Sequence, residues 1–217
     1  MKKIFFPLLL VLFVASTSSA QTRLFVDPEF SKYGNDHQII AVIPFTTTIS
    51  LRPKQMATLQ EGQLEKMQEV ESLNIQNSMY SWFLKRRQQG SMWVDIQDVS
   101  TTNALLAKNG INYYNIHEYT PAEIATILKV DAIVKGTFET DKPMSEGASL
   151  ALGLLVGFYG ATNTATINMF IHDADEGKVL VNYNKGVAGS LGSSTDQLVN
   201  KIMRKTSRRI PYTKSRT

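Results

Sequence analysis

The chain of 217 residues holds 23 lysines and arginines against 19 acids, three histidines and no cysteine. The missing cysteine excludes disulfides, thiolate metal ligands, a cysteine nucleophile and a lipid-bearing cysteine. The length suits one domain with a full hydrophobic core. The basic excess collects near the end, in Lys201, Arg204, Lys205, Arg208, Arg209, Lys214 and Arg216. No aromatic ladder or recognition motif accompanies it, so it is read as a solvated helix end and not as a nucleic-acid site.

Lys2 and Lys3 precede an apolar run from Ile4 to Ala15, and Ser18-Ser19-Ala20 offers small residues for a peptidase. The pattern predicts a secretory signal peptide over 1–20, cleaved between Ala20 and Gln21, and a periplasmic or secreted mature protein. The apolar run is short of the roughly 20 residues that span a bilayer as a helix. Residues 21–36 are of mixed polarity and read as a lead-in. Gln38–Phe45 is a continuous apolar strand, suited to burial on both faces, with Pro44 at its end.

From Met56 to Gln89 the pattern turns helical, in two stripes: Met56, Leu59, Gln63, Met67 and Val70, then Ile75, Met79, Trp82 and Phe83. Their offset near Ser72–Asn77 predicts a bend or two helices. Lys85-Arg86-Arg87 and Gly90 supply the stop. Trp93–Gln97 reads as a short strand. Ser100-Thr101-Thr102 would cap a helix running to Lys108, closed by Asn109-Gly110. Thr120-Pro121-Ala122-Glu123 is a capping box with proline at the first helical position.

Val130–Gly186 then supplies three alternating strands. In the second, Ala165, Ile167, Met169 and Ile171 share the apolar face; in the third, Val179, Val181 and Tyr183 point inward. A Gly-containing turn at Asp175-Glu176-Gly177 makes the last two a hairpin. After the small-residue stretch 186–194, Ser194 and Gln197 box a final helix with Leu198, Val199, Ile202 and Met203 facing in. Residues 37–210 thus form a single α/β domain of α+β-like character, followed by a basic tail over 211–217. Its mixed β-sheet has helices packed on it and ends in a three-strand antiparallel meander plus a final helix.

No catalytic set, cofactor motif or metal-ligand spacing emerges. His37, His117 and His172 are far apart, and the run His172–Glu176 lacks the length of a calcium loop, so it is read as an exposed turn. Gly189, Ser190, Gly192, Ser193 and Ser194 before the last helix form a weak anion loop, with no lysine to complete a phosphate site. The unusual feature is the glycine-laced apolar insert 147–161. At about 1.5 Å per residue it falls short of a roughly 30 Å hydrocarbon core as a helix. It either packs on its own domain, presents Leu150, Leu154, Leu155, Phe158 and Tyr159 to a membrane or partner, or lines a pocket.

The strand Ala41–Phe45, the stretches Val94–Ile111 and Tyr119–Phe138, the closing hairpin and the capped final helix together resemble a group of secreted, uncharacterised Bacteroidetes-type envelope proteins. These are similar in turn to bacterial lipoproteins with a Tol N-terminal-like α/β domain, as in the curli-secretion lipoprotein. The resemblance implies scaffolding or assembly in the cell envelope, without the lipid anchor, and defines no site residues. The expectation is therefore a non-catalytic envelope assembly or interaction module. Its partner would be another envelope protein or a second copy, with peripheral outer-membrane contact through 147–161. The alternatives are a small-ligand module using the 186–194 loop, or a hydrolase with an unrecognised site.

Overall fold

A computed structural model describes residues 22–51, 53–140, 164–188 and 195–213. Its strands are β1 (Thr22–Val26), β2 (Ile39–Val42), β3 (Thr46–Ile49), β4 (Asp95–Ile96), β5 (Ala132–Thr140), β6 (Thr164–Asp173) and β7 (Val179–Ala188). They form one mixed sheet in the order β1-β7-β6-β5-β2-β4, with β3 also on β5. The β1–β7–β6–β5 half is antiparallel, whereas β2 and β3 run parallel to β5 and β4 runs parallel to β2. The helices are α1 (Phe30–Gly34), α2 (Pro53–Met56), α3 (Gln63–Gln88), α4 (Val99–Lys108), α5 (Pro121–Leu128) and α6 (Thr195–Thr206).

Side-chain alternation divides the core into two layers. Ile75, Met79 and Phe83 of α3 and Val199, Ile202 and Met203 of α6 pack with Val42, Val134, Phe138, Ile167, Met169, Ile171, Val181 and Tyr183. On the opposite face, Leu106 of α4 and Ile124 and Leu128 of α5 cover Ala41, Ile43 and Ile133. The β2 region and the start of β5 are therefore buried on both sides, which explains the unbroken apolar run Ile39–Ile43. Over β6 and β7 only the α3/α6 face is fully buried. Their other face carries Thr166, Asn168, Phe170, Asn182 and Asn184, all half-buried.

β2 and β3 are one strand interrupted at Pro44. Val42 pairs with Val134 and Thr46 with Thr137, so four steps on one strand match three on the other. Proline has no N–H to offer the ladder, and the extra residue accommodates it as a bulge. Phe45 turns into the core beside Gly136, where a Cβ would press on the Asn168 carbonyl and lie 2.8 Å from the Phe45 ring. Only glycine fits that approach.

The helix expected to bend near Ser72–Asn77 is continuous from Gln63 to Gln88. Its buried face runs Met67, Glu71, Ser72, Ile75, Gln76, Met79, Phe83, Arg86, an uninterrupted three-and-four spacing. Polar residues fill the gap between the apolar stripes. Gln76 Nε2 donates to the Val42 carbonyl at 2.8 Å and to Asn103 Oδ1 at 2.9 Å, so its burial is satisfied. The actual break lies earlier, at residues 57–62, where Gly62 sits at φ +76°.

Three further differences have local causes. Asp98, not the Ser100–Thr102 hydroxyls, caps α4, accepting from the Ser100 and Thr101 amides at 2.9 and 3.2 Å. A register shift at Ile171/His172 inserts Leu180, which is fully buried, whereas Val179 is only half-buried. The lead-in contributes β1 and the buried Phe30, elements for which its mixed composition carries no periodic signal. The capping box at Thr120 and Glu123 forms as expected.

Candidate functional site

The titratable groups that converge are ones the sequence keeps apart. His37, two residues before β2, sends Nδ1 to the Tyr212 hydroxyl at 2.5 Å and Nε2 to Asp173 Oδ1 at 2.9 Å. One tautomer satisfies both contacts: Nε2–H donates to the carboxylate and Nδ1 accepts from the phenol. Asp173 Oδ2 in turn accepts from the amides of Asp175 and Glu176 at 3.0 and 3.2 Å, which holds the β6–β7 turn. Next to it, Asp131 Oδ2 accepts from the amides of Gln38 and Ile39 at 2.7 and 2.8 Å.

Aromatic rings close this cluster. Phe30 and Trp93 meet the Tyr212 ring edge-on, with centroids 5.3 and 5.6 Å away. His37, Asp173 and Tyr212 are 7 %, 4 % and 0 % exposed, so no substrate reaches them. Burial pushes the Tyr212 phenol well above its ordinary value, and the charges of Asp173 and Asp131 push the same way. The cluster consequently has a histidine and a carboxylate in contact but no reachable nucleophile. Its effect is structural, since it ties the lead-in, the hairpin and the C-terminal segment together.

Sequence reasoning places Asp173 in an exposed turn and Tyr212 in a basic tail, and the structure corrects both. An aspartate opening a turn that ends in glycine is an Asx-turn signal, which anticipates its two amide bonds. Nothing around Tyr212 announces its burial except a lone aromatic beside Ile210 and Pro211. His117 is exposed on a 3₁₀ turn (Ile116–Glu118). His172 faces the opposite side of the sheet from Asp173, where its Nδ1 bonds the Gly177 carbonyl at 2.9 Å.

The segments singled out by sequence, Leu150, Leu154, Leu155, Phe158 and Tyr159 in the insert and Gly189, Ser190, Gly192, Ser193 and Ser194 in the loop, lie outside the described residues. Their anchors do not. β5 ends at Thr140, which pairs with Ala165, while Thr164 pairs with Ala188 at the end of β7. The Thr140 hydroxyl donates to the Thr164 carbonyl at 3.1 Å. Both segments thus leave from the same end of the sheet, opposite the His37 cluster, where β1 also begins, with Thr22 beside Lys185.

Among the described residues no group of three or more potential ligands could hold a metal ion, and no helix is long and apolar enough to cross a membrane. A shallow depression of about 410 Å³ lies between Tyr119, Ala122, Glu123, Thr126 and Ile127. Its only carboxylate, Glu123, is engaged in the α5 capping box.

No protein-family model and no curated protein matches the chain. Among solved structures it is similar to the PelC dodecamer from Paraburkholderia phytofirmans, at 10% identity, TM-score 0.42, covering 86% of this chain and 93% of that one. It is similar also to lipoprotein GNA1162 from Neisseria meningitidis, at 13% identity, TM-score 0.43, covering 79% and 96%. A third is the LpoB C-terminal domain from Salmonella enterica, at 7% identity, TM-score 0.33, covering 71% and 83%. Likenesses this distant carry no conclusion about activity.

Proposed function

We propose that this protein is a non-catalytic interaction module of the cell envelope, delivered across the inner membrane by the leader read at residues 1–20. The observation that carries the reading is the state of the His37–Asp173–Tyr212 cluster. The described histidine and carboxylate that touch each other, His37 and Asp173, are sealed with Tyr212 and satisfied within the fold, and so act as a structural tie. The apolar composition of 147–161, anchored at the opposite end of the sheet, supports a contact role there. So does the resemblance of the strand-and-helix pattern to envelope proteins.

The experiment is chemical cross-linking in intact envelopes, with partners identified by mass spectrometry. The native protein is compared with a variant carrying Leu154→Ser, Leu155→Ser and Phe158→Ser. The expected result is a discrete set of cross-linked partners that the variant loses while its thermal unfolding is unchanged. A variant that keeps its partners, oligomeric state and membrane partitioning overturns the contact role of the insert. A variant that unfolds assigns the insert to the core instead.

A further inference from the structure

The two edges of the sheet are built differently. At the β4 edge the strand is two residues long, and Asp95 is held by Arg87 Nε at 2.6 Å. The residues just before it are occupied by the C-terminal segment, through the Met92–Thr213 bridge and the Trp93 amide on the Tyr212 carbonyl at 3.3 Å. A short, charged and covered edge resists further pairing. At the other edge, β1 presents five exposed residues, with Leu24, Phe25 and Val26 at 43 %, 48 % and 37 %. Among the described residues no strand lies on its outward side.

The hydrogen-bond parity of β1 can be read from its end. The Asp27 amide donates to the Leu180 carbonyl at 2.9 Å, one step past the Val26–Val181 pair. Backbone groups alternate direction along a strand, so Arg23 and Phe25 also bond toward β7. The amides and carbonyls of Thr22, Leu24 and Val26 therefore point away from the sheet.

We propose that β1 is a dimerisation strand whose occupant is β1 of a second copy of this chain, paired antiparallel about a twofold axis at Leu24. In that register Leu24 faces Leu24 of the second copy, Thr22 faces Val26 and Arg23 faces Phe25. Thr22, Leu24 and Val26 each donate one main-chain hydrogen bond and accept one, and these are the residues whose groups point outward. Arg23 faces Phe25 of the second copy and never another arginine, so the register that satisfies the main-chain bonds sets no like charges opposite each other. The β4 edge is closed, and on β3, which pairs with β5 alone, the Thr47 amide and carbonyl both bond the Tyr113 hydroxyl, so the association ends at two copies and does not propagate into a fibre. The inference deepens the interaction-module reading by naming one partner. Its test uses the purified protein alone, so its failure is distinguishable from loss of an envelope partner.

Sedimentation equilibrium of the full secreted protein is the first readout, with a dimer expected. Leu24→Lys sets like charges opposite each other at the axis while β1 keeps its bonds to β7. It is expected to raise the dimer dissociation constant at least about tenfold and, with both proteins diluted to monomer, to leave the unfolding midpoint unchanged. Cysteine scanning is the second readout, clean because the chain has none. Under mild oxidation Leu24→Cys is expected to form a covalent dimer, its two Cα atoms lying roughly 5.5 Å apart. Phe25→Cys should not, because its copies sit diagonally at roughly 7–8 Å. A native protein that stays monomeric, a Leu24→Lys variant that stays dimeric, or equal cross-linking at positions 24 and 25 overturns the proposal.

Discussion

At the end of the sheet where β2 and β5 begin, His37, Asp173 and Tyr212 take up one another's hydrogen-bonding groups beneath a lid of Phe30 and Trp93, and Asp131 takes the Gln38 and Ile39 amides. At the end where β5 stops and β6 starts, the described contacts are strand pairing, the Thr140 hydroxyl on the Thr164 carbonyl, the Lys185 ammonium on the Thr22 hydroxyl, and a small apolar cluster of Ile49 and Met67. The first end joins segments as far apart in sequence as residues 37 and 212, and so fixes the topology. The second joins β1, β3, β5, β6 and β7 chiefly through the sheet ladder. That second end is also where the parallel strands β2, β3 and β5 finish, the side on which α/β sheets generally place binding loops.

The sharpest way to break the contrast is Asp173→Ala. It leaves the buried Nε2 proton of His37 without an acceptor and removes the acceptor for the Asp175 and Glu176 amides. The two amides belong to exposed residues and can find water, whereas the imidazole cannot. A loss of about 3 kcal/mol is expected, read as a lower urea midpoint with an unchanged slope. A loss below about 1 kcal/mol would mean that water reaches the cluster.

Tyr212→Phe isolates one bond of the same cluster. It keeps the ring contacts with Phe30 and Trp93 but leaves His37 Nδ1 unpaired, at a cost of about 1.5 kcal/mol. The matching deletion at the other end, Thr140→Val, removes a single hydroxyl from a threonine that is likewise buried. It is expected to cost about 0.5 kcal/mol, since Thr164 is exposed and water can replace the lost donor. Equal losses in the two variants would abolish the distinction between the ends.

The sequence made the open end easier to notice than the closed one, for a physical reason. Period-two and period-three-to-four hydrophobicity reports burial by apolar side chains, and it located β2, β5, β6, the capping box of α5 and the inward face of α6. It is blind to polar groups buried because a distant residue satisfies them. Gln76 in the α3 seam therefore looked like part of a bend, Asp173 like a surface turn and Tyr212 like part of a tail. β1 escaped because an edge strand exposed on all five residues has no burial pattern to display. The cluster around His37 depends on tertiary pairing of residues 37, 173 and 212, which no local window contains.

A smaller and purely pH-dependent effect tests whether closure at the first end extends through the sheet. His172 lies one residue before Asp173 but on the opposite face, where burial and the charge of Lys135 lower its pKa and the bond to the Gly177 carbonyl only partly opposes them. A histidine whose folded pKa is depressed favours the folded state in its neutral form. Below the unfolded value near 6.5 the unfolded chain binds the proton more readily, so stability is fully present above that pH. It is lost as the pH falls through the folded pKa. Urea midpoints measured from pH 7.5 down to pH 5 are therefore expected to decline for the native protein and to decline less for His172→Gln. Tyr212→Phe should leave this slope in place, because its ring is on the other side. If His172→Gln and the native protein decline in parallel, His172 is not the source of the acid sensitivity.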